Sequence, residues 1–345
     1  MSNAQIPRLE RGDLIAFVSP SARLNNLFSH RIERGVAFFE KAGYRVRVIF
    51  DQLSDDYATG IQQRCDELHQ AFRDPEIKAI ICTIGGNSCN ELLEHLDYDL
   101  IRHNPKIFCG FSDITLLHAA FWSQAGLHTF YGPAVITNFA DYPTPLSFIS
   151  ENFFSTVCGR GISGPAPVPR SPGWSQEWLD WLDPVTDRTP RTLQPTASKT
   201  RWLRPGQATG RLLGGCLPSV MQTLATKYSP NYTGAVLLLE TPEAEHRPDA
   251  PWGVEQARSA LTDLRNAGVL GKITGLVLGR PFLYDQEMTE RFEQVVLEQC
   301  RGTDFPVLAN VDVGHTHPIA TLALGCLVRL DSEADAFELL ESAVG

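Results

Sequence analysis

Apolar positions along this chain fall into short runs whose spacing switches repeatedly between two and about three and a half residues, which predicts strands alternating with helices. Asp13-Leu-Ile-Ala-Phe-Val-Ser19 reads as a strand that ends at Pro20, and His30 to Gly43 keeps its apolar residues on one helical face. Tyr44-Arg-Val-Arg-Val-Ile-Phe50 alternates as a strand should. A helix is predicted from about Ile61 to Arg73 and a strand over Lys78-Ala-Ile-Ile-Cys-Thr-Ile84, and after the Gly85-Gly86 turn another helix is expected around Asn90 to Leu96. Ile107, Phe108 and Cys109 form the unbroken apolar run of a strand covered on both faces. From Ile114 to Gly126 the spacing turns helical, Phe130-Tyr-Gly-Pro133 closes a short strand, and Leu146 to Val157 reads as a helix. The first half is therefore expected to be a doubly wound, mostly parallel α/β sheet.

Between Gly159 and Gly210 the composition changes to proline, glycine, arginine and tryptophan, as in a linker with an ordered insertion. Trp174, Trp178 and Trp181 fall at helical spacing, which predicts one face of a short amphipathic helix; the sharper reading is an aromatic lid over a flat substrate group. The second half resumes the alternation. Strands are expected at Arg211 to Cys216, Gly234 to Glu240, Ile273 to Gly279 and Pro306 to Asp312, with helices after Cys216 and at Trp252 to Ala267 and Gln286 to Cys300. Two or three antiparallel strands are expected from Ile319 to Val344. The expected organisation is an N-terminal domain over 1–160, a tryptophan-rich insertion over 161–209 and a C-terminal α/β domain over 210–345.

A formal charge of −10 with no lysine or arginine cluster argues against a nucleic-acid partner. The polar first dozen residues hold no signal-peptide core, and no apolar stretch reaches the length of a membrane span, so a cytoplasmic enzyme is expected. The eight cysteines form no Cys-x-x-Cys pair and sit mostly in apolar runs, as reduced buried thiols do.

Candidate chemistry centres on Gly110-Phe-Ser112-Asp113-Ile114, where a buried strand turns sharply into a helix. A serine at such a corner projects from the carboxyl edge of the sheet as a nucleophile; the plainer reading is a helix-capping serine. A hydroxyl needs a base oriented by a third group. His315, in the loop Gly314-His-Thr-His-Pro318, is the best base and His317 its rival. Glu240, a carboxylate ending an apolar strand, is the natural orienting group, with Glu243 and Glu245 as alternatives. The amides of Gly86 and Asp113 are placed to form an oxyanion hole. Gly85-Gly86 lacks the lysine and the further glycines of a phosphate loop, and His315, His317 and Asp312 lack a completing ligand cluster, so neither a nucleotide cofactor nor a metal is expected.

Several stretches together resemble one family, the serine peptidases comprising the LD-carboxypeptidases and the microcin C self-immunity peptidases. They are Ile84-Gly-Gly86, Asp97-Tyr-Asp-Leu100, Asn104-Pro-Lys-Ile107, Gly110-Phe-Ser-Asp-Ile-Thr115 and Thr129-Phe-Tyr-Gly-Pro133 in the first half. In the second half they are Gly210-Arg-Leu-Leu-Gly-Gly215, Leu239-Glu-Thr241, Gly279-Arg-Pro281 and Asp312-Val-Gly-His-Thr316. The resemblance implies a flavodoxin-like N-terminal domain facing a smaller C-terminal α/β domain, often in a homodimer, and needing no cofactor or metal. It further implies a triad of Ser112, Glu240 and His315, with Gly86 and Asp113 as the oxyanion hole. Ile84 stands where LD-carboxypeptidases tend to carry an arginine, and Cys216 where an asparagine is common. The tryptophan-bearing insertion and Glu240-Thr-Pro-Glu243 look more like the microcin branch. The expected activity is hydrolysis of an amide-type bond at the C-terminal end of a peptidyl or aminoacyl nucleotide, with Trp174, Trp178, Trp181, Arg247 and Arg280 as substrate contacts. Release of D-alanine from a murein tetrapeptide and non-catalytic binding on the same fold are the alternatives.

Overall fold

Two sheets carry the chain, and each places the carboxyl ends of its parallel strands toward a shared cleft. The computed structural model describes residues 5–159, 165–197 and 201–345. In the first part β1 (Leu14–Val18), α1 (Ser29–Lys41), β2 (Arg45–Ile49), α2 (Tyr57–Arg73), β3 (Ile77–Cys82), α3 (Tyr98–His103), β4 (Ile107–Gly110), α4 (Thr115–Ala120), β5 (Thr129–Tyr131) and α5 (Ser147–Val157) follow one another. β1 and β4 are buried at every position and β3 at all but Lys78, as strands covered by helices on both faces must be. Side-chain caps start two of these first five helices. Asp56 accepts from the Thr59 amide and Asp97 from the Leu100 amide, each at 2.9 Å, satisfying donors that a helix start leaves open.

Two predicted helices come out differently. Around Asn90 to Leu96 there is only a single 3-10 turn, Cys89–Leu92, because the Ser88 and Cys89 amides are drawn to the Asp113 carboxylate and the stretch is too short to nucleate more. After Ser112 the chain makes a 3-10 turn, then α4, then a π turn over Phe121–Ala125 that ends at Gly126, whose φ of 66° supplies the left-handed cap.

The remainder adds β6 (Ala166–Pro167), β7 (Gly173–Trp174), β8 (Gln194–Pro195), β9 (Arg201–Arg204), β10 (Gln207–Cys216), α6 (Leu217–Thr223), β11 (Val236–Glu240), β12 (Glu243–Ala244), β13 (Arg247–Pro251), α7 (Val254–Asn266), β14 (Gly275–Gly279), α8 (Gln286–Gln299), β15 (Val307–Val311), β16 (Leu322–Leu324), β17 (Leu327–Asp331) and β18 (Ala336–Leu339). The first sheet has the order β16-β5-β4-β3-β1-β2 and the second β6-β18-β17-β10-β11-β14-β15-β9. β10, β11, β14 and β15 are parallel, whereas β17, β18, β6 and β9 add antiparallel edges. β16 returns to the first sheet, antiparallel to β5, so the two lobes are stitched together. The larger apolar core accordingly runs from Phe17 and Phe108 into Leu212, Val236 and Leu330.

The segment bearing Trp174, Trp178 and Trp181 is not the predicted helix. Prolines at 165, 167, 169 and 172 keep the approach extended. Gly173–Trp174 then pairs with Gln194–Pro195, and Ser175 exchanges two main-chain hydrogen bonds with His317 at 2.7 and 2.8 Å. Buried charges fasten the rest of this loop. Asp187 receives Arg31 and Arg34, and Asp141 receives Arg31 at 3.1 Å and Arg191 at 2.7 Å. Removing one member of such a buried pair costs about 3–5 kcal/mol, so the loop is held firmly against the first lobe. No helix among the described residues is long and apolar enough to cross a membrane.

Candidate active site

Ser112 sits just beyond β4 with a φ of 63°, a left-handed conformation that a serine adopts at a cost of about 1–3 kcal/mol. Neighbouring bonds hold it there: its amide donates to the Tyr131 hydroxyl at 3.1 Å, and the Thr115 hydroxyl donates to its carbonyl at 2.6 Å. The Gly85-Gly86 turn beyond β3 lies directly against it. A Cβ on Gly85 would stand 2.7 Å from that of Ser112, and one on Gly86, where φ is 150°, would stand 2.4 Å from Ser21 Oγ. The Asp113 carboxylate accepts from the Ser21 hydroxyl and, at 2.9 Å each, from the Ser88 and Cys89 amides. Its side chain thus ties the glycine turn to the serine corner.

From the second lobe come Glu240, the last residue of β11, and His315, in the loop after β15. His315 Nε2 is 3.0 Å from Ser112 Oγ, and its Nδ1 is 2.8 Å from Glu240 Oε2. The other Glu240 oxygen accepts from the Tyr131 hydroxyl at 2.6 Å. Both oxygens of this fully buried carboxylate are therefore engaged, which offsets its desolvation. Glycines make room for it: a Cβ on Gly279 would meet Glu240 Cβ at 2.7 Å, and one on Gly314 would meet Oε2 at 2.6 Å. Burial pushes the His315 imidazole down, but the Glu240 and Glu243 carboxylates outweigh it and raise the group to about 9. The phenol of Tyr131, buried beside Glu240, is held well above its ordinary value, so it stays a donor.

The rival His317 lines the same cleft, 3.4 Å from Asn138, and burial next to Arg191 lowers it to about 3, so it is neutral. Trp178 and Trp181 line the cleft together with Ser112, Phe28, Phe111, Phe282 and Arg191, around a volume of about 400 Å³. Trp178 is 45% exposed, whereas Trp181 packs edge-on against Phe28 and lies 4.6 Å beneath the Arg31 guanidinium. Trp174 lies outside the cleft, stacked at 4.6 Å under Arg280. Neither arginine expected at the substrate is among the lining residues. Arg280 pairs with Asp312 at 3.2 Å, and the exposed Arg247 pairs with Asp249 at 2.8 Å. Sequence reasoning gave no role to Tyr131, although its motif was in view, and passed over Arg191, whose side chain is buried in the cleft wall.

Two groups of three donor side chains lie within 4.8 Å among the described residues. In Cys216, Glu240 and His315 the carboxylate is already shared between imidazole and phenol, and burial next to Glu240 keeps the Cys216 thiol protonated. In His128, Cys326 and Glu341 the carboxylate accepts from Arg211 and the Leu327 amide, each at 3.0 Å. A hydroxyl, an imidazole and a buried carboxylate in series are instead suited to nucleophilic attack on a carbonyl.

The chain is 31% identical over 335 residues to a protein of Vibrio cholerae named as a carboxypeptidase, covering 96% of each. It is also 31% identical to the microcin C7 self-immunity protein MccF of Escherichia coli, covering 96% of this chain and 94% of that protein. The solved structure of wild-type MccF without ligand superposes with a TM-score of 0.89 at 29% identity, over 99% of this chain and 100% of the other. MccF in complex with aspartyl sulfamoyl adenosine gives 0.88 over the same shares. Residues 15–132 match the LD-carboxypeptidase N-terminal domain and residues 209–330 the LD-carboxypeptidase C-terminal domain, so the chain belongs to the LD-carboxypeptidase family of peptidases.

Proposed function

We propose that this protein is a serine-type amide hydrolase acting at the C-terminal end of a peptidyl or aminoacyl nucleotide. The observation that carries the reading is the continuous chain from Ser112 Oγ through His315 to Glu240, at 3.0 and 2.8 Å. His315 Nε2 takes the hydroxyl proton as Ser112 Oγ attacks the carbonyl carbon, and Glu240 holds the resulting imidazolium. The oxyanion is received by the amides of Gly86 and Asp113. Collapse breaks the carbon–nitrogen bond, the imidazolium protonates the leaving nitrogen, and water then releases the acyl group as a carboxylic acid. The nucleotide part of the reading is supported by the exposed Trp178 in the cleft wall, and by MccF having been solved with aspartyl sulfamoyl adenosine and glutamyl sulfamoyl guanosine.

The second reading is the same chemistry on a murein tetrapeptide, favoured by 26% identity to a murein peptide carboxypeptidase of Bacillus subtilis over 97% of this chain. Assays with an aspartyl-nucleotide conjugate and with a tetrapeptide ending in D-alanine separate the two. Ser112→Ala should abolish turnover of whichever substrate is accepted and labelling by a fluorophosphonate. Unchanged hydrolysis in that variant, or no labelling of the native protein, would remove the proposal and leave a binding protein.

A further inference from the structure

His315 stands in a loop whose main chain must be held from outside. Gly314 before it takes a φ of 100°, and the imidazole reaches across the cleft to Ser112 and Glu240, so the place of Nε2 depends on what fixes residues 312–317. Residues 171–175 fix them on both sides of the histidine. After it, Ser175 makes its paired main-chain bonds with His317; before it, the Ser171 amide donates to Asp312 Oδ2 at 2.8 Å. Arg280 closes the ring. Its Nη2 donates to Asp312 Oδ1 at 3.2 Å, its guanidinium lies 4.6 Å from the centre of the Trp174 ring, and its carbonyl accepts from the Thr316 hydroxyl at 3.1 Å. Burial pushes the Asp312 carboxyl up, against the opposing pull of Ser171 and Arg280. A charge pair kept out of water in this way is weak support for stability, and neither Asp312 nor Arg280 lines the cleft, so substrate contact does not account for it either.

We infer that Asp312, held by Arg280, is a positioning residue for His315: through the Ser171 amide it joins the loop of the base to the segment bearing Trp174. This rests on the serine-hydrolase reading, and it gives Trp174 and Arg280 a task although both lie away from the cleft. A main chain pinned at Asp312 and again at His317 leaves His315 little freedom to swing at Gly314. The other main-chain bonds of this stretch, from the Val313 amide to the Val311 carbonyl at 2.8 Å and from the Ala320 amide to the Asp312 carbonyl at 2.7 Å, tie the loop only to itself and its own strand. The cleft wall at Trp178 has separate anchors in the pairs of Arg191 with Asp141 and Arg31 with Asp187. Losing the clamp should therefore register in turnover rather than in substrate binding, because a general base displaced by about 1 Å costs on the order of 100-fold in rate.

The test replaces both members of the pair by apolar groups of similar size, Asp312→Leu with Arg280→Met, since removing one alone strands a buried charge whereas replacing both preserves the packing. Turnover is measured on whichever of an aspartyl-nucleotide conjugate and a tetrapeptide ending in D-alanine is accepted, and the low-field Nδ1 proton of His315 is followed by NMR. The expected result is a fall in kcat of about 100-fold with KM held within about threefold, and an Nδ1 proton that broadens or moves upfield. Asp312→Asn keeps an oxygen for the Ser171 amide and loses the charge facing Arg280. It carries the same test should the double variant not fold, with a fall in kcat of about tenfold, that of a lost charged hydrogen bond. Native kcat, or a loss confined to KM with the Nδ1 proton unchanged, would overturn the inference and leave the hydrolase reading standing. If the native protein turns over neither substrate, the hydrolase reading falls, and the Nδ1 proton alone decides whether Asp312 positions His315: unchanged in the variants, it overturns the inference; altered, it sustains it.

Discussion

The Tyr131 hydroxyl donates to Glu240 at 2.6 Å while accepting the Ser112 amide at 3.1 Å, so one phenol from the first lobe ties the serine corner to the carboxylate of the second. Tyr131→Phe keeps the ring and removes both bonds. Losing a hydrogen bond to a charged group costs about 1.5–3 kcal/mol, which predicts a fall in kcat/KM of roughly 10- to 100-fold with the fold retained. Steady-state kinetics beside a melting curve check it; a variant with native kinetics would show that the phenol is only packing.

The His315 imidazole gives a pH dependence of definite sign. Its folded value of about 9 lies above the ordinary 6.5, so the protonated imidazole is stabilised by folding. That contribution is fully present below about pH 6.5 and is lost as the pH rises through about 9. A general base must be unprotonated, so kcat/KM of the free protein should climb over the same interval while melting temperature declines. Pre-steady-state or kcat/KM profiles, with a melting series on His315→Gln as the reference, decide it. A rate flat across this range would count against His315 as the base.

Trp178 and Trp181 should separate cleanly. Trp178 is half-exposed in the cleft, so Trp178→Ala should raise KM for a nucleotide conjugate and leave the melting temperature nearly unchanged. Trp181 is wedged between Phe28 and Arg31, and its removal should destabilise the protein by roughly 3 kcal/mol. Equal effects of the two on stability would mean that both simply pack.

Gly314→Ala tests how tightly the backbone wraps Glu240. At a φ of 100° the new methyl would meet Glu240 Oε2 at 2.6 Å, so activity should drop far more than stability. Gly234→Ala is the control, because φ there is also positive at 72° but nothing lies within 4 Å. Its cost should be about 1 kcal/mol of strain with turnover intact. Turnover lost equally in both variants would rule out a specific role for the Gly314 contact.

The alternating apolar periods and the residues at strand ends were legible because they are local: which face of α1 is buried, where β11 stops on Glu240, where β4 turns at Ser112, and that His315 follows a strand and a glycine are all written in short windows of sequence. Tertiary structure alone decided the rest. Trp174, Trp178 and Trp181 share helical spacing, yet prolines and strand pairing split them between two environments, since periodicity carries no information about long-range partners. The commitment of Arg280 to Asp312 and the meeting of Tyr131 and Glu243 with the same site depend on contacts across 19 to more than 100 residues of chain. Those contacts form only when β16 and the two sheets close on one another, because a side chain's partner is set by the packing of whole elements rather than by its neighbours in sequence.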